Sequence, residues 1–219
     1  MSLSENLNNI KSKIYELDLT MLPEKTLDNI EFAIRKVVAE NIEGDFLEAG
    51  VLRGGAVIFA YYILKELGSN KKVFAADSFE GLPKPNVEKY PQDLGDPHWR
   101  LPELRASLES VIDNFKLFGD IDKNVIFLRG WFRDTLTTPE IKKLSVLRLD
   151  GDMYESTWTT LEPLYPKLSS GGVCIIDDFG HVRAKQAVLD YREKFKITDE
   201  IKIIDETPGA YPSAYWIKS

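Results

Sequence analysis

The chain reads as a doubly wound α/β fold whose sheet is mostly parallel and closes with an antiparallel hairpin. Three observations predict it. Five short apolar runs, Asp45-Phe-Leu-Glu-Ala, Lys72-Val-Phe-Ala-Ala, Asn124-Val-Ile-Phe-Leu, Ser145-Val-Leu-Arg-Leu and Gly172-Val-Cys-Ile-Ile, have the length and character of strands buried on both faces. Longer segments of helical period separate them, and such alternation gives parallel pairing through right-handed crossovers. Two last strand-like runs, Ile201-Lys-Ile-Ile and Ala214-Tyr-Trp-Ile, have no long helix between them and should pair antiparallel.

The elements follow in order. Residues 1–42 read as helical: Leu27, Ile30, Phe32, Ala33, Ile34, Val37 and Val38 recur at helical spacing, and Pro23 and Glu24 suit a first turn. Residues 1–43 thus form an N-terminal helical segment ahead of a domain spanning 44–219. That segment packs either on its own domain or on a neighbouring subunit. The connecting helices are expected at 55–68, 102–118, 155–168 and 181–195, with a kink or early break at Pro163 and Pro166. Residues 79–102 show no clear element and hold Pro83, Pro85, Pro91 and Pro97. A stretch this long in a compact domain is usually functional or disordered. It follows the carboxyl end of the second strand, where open α/β sheets bind ligands, so it reads as an active-site lid; the alternative is a disordered surface insertion.

Composition removes several classes. With 219 residues, 43% hydrophobic and 29% charged, the chain can bury a core. No apolar run approaches the roughly 18–20 residues of a membrane span, and the start MSLSENLNNI has no secretory pattern, so a cytoplasmic location is expected. The single Cys174 rules out a disulfide framework or a cysteine-rich zinc site. With only His98 and His181, a multi-histidine metal site is not expected either; any metal should sit on oxygen ligands. A net charge of −7 argues against a nucleic-acid partner.

The candidate chemistry lies at the strand ends. The first strand leads through Glu48 and Gly50 to Arg53-Gly54-Gly55, a turn whose glycines let backbone approach a ligand. It is neither G-x-G-x-x-G nor a P-loop, and a tight turn without a ligand is the alternative. The second strand ends at Asp77-Ser78, where an acid is placed to accept ribose hydroxyls or, alternatively, to close an Asx-turn. Together the two ends suggest an adenosine-containing ligand. Asp150-Gly-Asp152 and Asp177-Asp178 end the fourth and fifth strands, so a parallel sheet gathers four aspartates at one edge. Oxygen-only donors suit Mg²⁺, Mn²⁺ or Ca²⁺; the alternative is that Asp152 and Asp178 cap the following helices. Trp131 either stacks on an adenine or covers the core. Arg148, charged inside a strand, should meet an acidic partner. Cys174 reads as a buried strand residue.

The segments VFAADSFEGLP (73–83), GWFRDTL (130–136), LRLDGDMYEST (147–157), LYPKLSSGGVCIIDDFG (164–180) and AVLDYREKFKI (187–197) closely resemble the macrocin O-methyltransferase family, with a continuous likeness from about Leu19 to Ile204. The resemblance implies the seven-stranded sheet of class I S-adenosylmethionine-dependent methyltransferases and Mg²⁺-dependent methylation of a sugar hydroxyl on a small-molecule acceptor. It implies Asp150, Asp177 and Asp178 as metal ligands and Asp152 as general base. It places Glu48, Gly50, Arg53, Gly54 and Gly55 at the methionine end of the cofactor, Asp77 at the ribose, and Ser78 and Trp131 near the adenine. A homo-oligomer is also expected. Four features depart from the family pattern: Ala49 for a threonine or similar residue, Phe179 for a common tyrosine, Pro163 within a helix, and a longer tail from Glu206 to Trp216. The main rival is a glycosyltransferase, since Asp150-Gly-Asp152 has the D-x-D form that holds Mn²⁺ and a nucleotide sugar. The second pair, Asp177-Asp178, and the glycine turn both favour the methyl-donor reading.

Overall fold

A computed structural model describes residues 3–204 and 212–219. Two helices come first, α1 (Leu3–Glu16) and α2 (Glu24–Ala39). Then β1 (Asp45–Ala49), α3 (Gly55–Glu66), β2 (Val73–Asp77), α4 (Leu108–Lys116) and β3 (Val125–Arg129) build one half. A short α5 (Phe132–Thr135), β4 (Leu144–Leu149), α6 (Tyr154–Leu164), β5 (Leu168–Ile176), α7 (Val182–Lys194), β6 (Lys202–Ile203) and β7 (Ala214–Ile217) build the other. The sheet has seven strands in the order β3-β2-β1-β4-β5-β7-β6. The first five are parallel, and β7 runs antiparallel to both β5 and β6. The expected architecture is therefore present, and the chain reverses its winding between β1 and β4, the kind of point where such sheets bind ligands.

Strand alternation sorts the core into two layers. Phe46, Val146 and Ile175 face α1–α4, whereas Leu47, Leu147 and Cys174 face α6 and α7. Glu48 and Arg148 are direct partners in the β1–β4 register and belong to the first face. Leu7, Ile10 and Ile14 of α1 are buried in that same layer with Phe59 of α3, so the N-terminal helices pack on their own chain. Among the described residues no helix is long and apolar enough to cross a membrane.

Several boundaries differ from expectation. The N-terminal helical stretch is split: Asp18 takes a left-handed backbone (φ 52°) and Leu19 N–H returns to Ile14 C=O, closing α1. Helix α4 begins at Leu108 because Ser107 Oγ accepts from Ser110 N–H at 3.1 Å and fixes the start. Helix α6 ends at Leu164, one residue after Pro163, and a 3₁₀ turn follows, as the prolines require. The 79–102 segment is ordered, with turns at Pro91–Asp93 and His98–Arg100 and a third starting at Pro102. What fastens it is Asp93, fully buried, whose two oxygens accept from Tyr154 N–H (2.8 Å) and Glu155 N–H (2.9 Å) at the start of α6. Arg183 adds bonds from α7 to the carbonyls of Gln92 and Leu94, both 3.2 Å. Most of the tail singled out from Glu206 onward, residues 206–211, lies outside the described residues.

Candidate active site

A cavity of about 440 Å³ opens at the carboxyl ends of β1, β2, β4 and β5. Its wall includes Glu48, Gly50, Gly55, Asp77, Ser78, Trp131, Asp150, Asp152, Asp177 and Asp178. Arg53 and Gly54 are not in that wall. Arg53 turns outward to Asp18, donating to its carboxylate (2.9 Å) and its backbone carbonyl (3.0 Å), which ties the turn to the α1–α2 link. That link supplies a wall the sequence did not announce: Leu19, Thr20, Met21, Leu22 and Pro23. The sole hint was that the family likeness begins at Leu19.

The glycines act on protein more than expected. A side chain at Gly50 would strike the Asp150 carbonyl at 1.6 Å, and one at Gly55 would meet the Leu19 carbonyl at 2.6 Å. Their bareness lets β1 close on β4 and the link close on α3. Asp77 also serves the turn. Its Oδ2 accepts from Val51 N–H (2.7 Å) and its Oδ1 from Phe79 N–H (2.7 Å), so the Asx-turn is present in a residue that also faces the cavity. Ser78 Oγ donates to Gly81 C=O at 2.6 Å, at the root of the lid. From the lid, Gly81, Leu82 and Pro83 reach the cavity.

Under the aspartates lies Arg148, with no exposed surface. Its Nη1 donates to Glu48 and, at 3.0 Å, to Asp150 Oδ2. Its Nη2 sits 2.7 Å from Asp177 Oδ1 as an ion pair, off the line of a hydrogen bond. The acidic partner expected for Arg148 is thus three carboxylates. Asp178 Oδ2 accepts from Gly151 N–H (3.0 Å) and Asp152 N–H (2.8 Å), so it braces the β4–α6 turn and does not cap its own helix. Nor does Asp152 cap α6, since Asp93 takes that place. Asp152 itself is held in a left-handed backbone (φ 58°), a strain typical of functional turns.

One carboxylate oxygen from each of Asp150, Asp177 and Asp178 lies within 4.8 Å of the others. Burial, then Asp177, drives the Asp150 carboxyl well above its ordinary range, and Arg148 offsets this only in part. Burial, then Asp152 and Asp177, does the same to Asp178. Burial pushes Glu48 up to about 7 despite Arg148. Burial works against the Arg148 charge, but Asp177, Asp150 and Glu48 together hold its proton on. The cluster is short of positive charge, and its donors are hard oxygens. Both facts fit a divalent cation such as Mg²⁺. Glu48 Oε2 is buried without a hydrogen-bond partner, which fits a cationic group arriving beside it.

Beside this oxygen-only group lie the chain's two histidines. His98, Asp152 and His181 form a second group, with one ligand-type atom from each within 4.8 Å of the others. The lid brings His98 to His181, a meeting no local pattern reveals.

The macrocin-O-methyltransferase (TylF) family model matches residues 7–216. The chain belongs to this family. Among relatives, the demethyldecarbamoylnovobiocin O-methyltransferase of Streptomyces niveus is 45% identical over 195 residues, 88% of this chain and 74% of that protein. The mycinamicin III 3''-O-methyltransferase of Micromonospora griseorubida is 40% identical, covering 91% of this chain and 78% of that protein. Among solved structures, the O-methyltransferase NovP has a TM-score of 0.85 at 42% identity, covering 91% of this chain and 82% of that one. The calicheamicin methyltransferase CalS11, at 18% identity and a TM-score of 0.69 over 98% of this chain and 91% of that one, shares the fold. Membership in an O-methyltransferase family sets aside the glycosyltransferase alternative.

Proposed function

We propose that the chain transfers a methyl group from S-adenosylmethionine to a hydroxyl of a sugar carried by a small-molecule natural product, with a divalent cation as helper. The observation that carries this reading is one cavity walled both by Glu48, Asp77 and Trp131 and by Asp150, Asp152, Asp177 and Asp178. The names of the relatives, which act on novobiocin-type and mycinamicin-type molecules, support the acceptor class.

When bound, S-adenosylmethionine supplies an electrophilic methyl group, and a divalent cation on Asp150, Asp177 and Asp178 supplies Lewis acidity that makes a sugar hydroxyl easier to deprotonate. The remaining work falls to the chain. Glu48 offers its unpartnered oxygen to the cofactor's ammonium, and Asp77 faces the ribose from the loop it braces. Trp131 and Ser78, also in the cavity wall, would hold the adenine end. Arg148 fixes one oxygen of Asp150 and one of Asp177, leaving their other oxygens for the cavity. Asp152 accepts the proton of the attacking hydroxyl as general base. His98 and His181 lie beside it and favour its charged form against the burial that disfavours it. The 79–102 segment, pinned by Asp93, closes over the acceptor. Arg53 and Gly54 shape the turn from outside. A cytoplasmic location and self-association are part of the same proposal.

The test is an assay with S-adenosylmethionine and sugar-bearing acceptors, read by mass spectrometry with and without chelator. Methylated product that disappears with chelator and returns with Mg²⁺ supports the proposal. Product formed equally in chelator removes the cation from it.

A further inference from the structure

We infer a second cation site, made by His98, Asp152 and His181 and suited to a first-row transition metal such as Zn²⁺. The chain has two histidines in all, and both converge on one carboxylate. His98 comes from the lid, at the turn His98–Arg100, and His181 from the start of α7. Their ring centroids lie 5.5 Å apart.

The surroundings are those of a held ligand. His98 Nδ1 lies 2.9 Å from Asp96 Oδ1, and the Asp96 side chain has no exposed surface. Arg183 pairs with the other Asp96 oxygen at 3.5 Å. A carboxylate beside Nδ1 keeps that nitrogen as the N–H and leaves the lone pair on Nε2, the way proteins orient metal-binding imidazoles. The backbone bond from Asp152 N–H to Asp178 fixes the third ligand's carrier. Two imidazole nitrogens and one carboxylate oxygen suit Zn²⁺, Co²⁺ or Ni²⁺, whereas the oxygen-only group of Asp150, Asp177 and Asp178 suits Mg²⁺. Three protein ligands leave an open coordination position. A cation there engages the Asp152 carboxylate, so Zn²⁺ should inhibit Mg²⁺-supported methyl transfer. That consequence rests on the proposed function; the binding itself does not.

The experiment is calorimetric titration of the full chain with Zn²⁺ in Mg²⁺-saturated buffer. One site of micromolar or tighter affinity is expected. His98→Ala, His181→Ala and the milder His98→Gln should each weaken it at least about tenfold, and Asp96→Asn about tenfold through lost orientation. In a separate titration with Mg²⁺, Asp177→Asn should lose the Mg²⁺ heat, while its Zn²⁺ site should remain. The proposal is overturned if wild-type protein binds Zn²⁺ only at millimolar concentration, or if the histidine variants bind it as tightly as wild type. A parallel titration with S-adenosylhomocysteine separates the two ideas: loss of nucleoside binding alone would sink the methyltransferase reading and leave the Zn²⁺ site standing.

Discussion

Arg148 Nη2 lies 2.7 Å from Asp177 Oδ1, joining β4 to the end of β5 beneath the floor of the cavity. The same guanidinium holds Glu48 and Asp150, so one fully buried cation ties together the proposed cofactor and metal ends of the site. Its removal leaves three carboxylates without compensation. Arg148→Met should lose about 3–5 kcal/mol of stability, the usual result of breaking a buried pair from one side. For a chain of this size that is a fall of roughly 10 °C in Tm. Urea unfolding within about 1 kcal/mol of wild type would show that Arg148 is not the keystone.

Asp93 ties the lid to α6 by accepting from Tyr154 N–H and Glu155 N–H. Asp93→Ala removes a buried helix cap and should destabilise the chain by about 2 kcal/mol. Cleavage by a protease between Pro83 and Leu101 should become faster, because the tether is gone while the sheet is intact. Unchanged cleavage there would mean that other contacts hold the lid.

Asp152 is the base in the proposed reaction and faces the cavity from a strained turn. Asp152→Asn should lower kcat by roughly 10²–10⁴-fold, the range general-base removal produces. Affinity for S-adenosylhomocysteine should stay at the wild-type level. Near-normal turnover in the variant would assign the proton to another group.

Glu48 is held up to about 7, chiefly by burial. It is therefore charged above that value and protonated below it. Its attraction for the cofactor's ammonium should weaken as pH falls through about 7, so S-adenosylhomocysteine affinity should drop on the acid side. Glu48→Gln should bind weakly with that pH step removed. A variant that keeps the step would place the titrating group elsewhere.

Much of this was legible in the residues. The apolar runs marked the strands: β1, β2 and β4, buried almost throughout, advertise themselves by unbroken hydrophobicity, whereas β6 is exposed and shows only by its place before β7. The aspartates at the ends of β4 and β5 followed from parallel order. What escaped was long-range. Asp93 caps a helix that starts 61 residues later, so neither its role nor the lid's order shows locally. Arg53 looks like a cofactor residue in a glycine turn until Asp18, across the fold, claims it. Asp77 reads as a ribose acid, but its carboxylate already holds Val51 and Phe79. His98, in the lid, and His181, at the start of α7, meet at Asp152 only through the path of the lid across the fold.

The most direct test of the central claim is calorimetric titration of chelator-stripped protein, first with S-adenosylhomocysteine and then with Mg²⁺. Saturable nucleoside binding is expected, with a separate Mg²⁺ heat that vanishes in Asp177→Asn. Absence of nucleoside binding, with uptake of a uridine diphosphate nucleotide in its place, would contradict it.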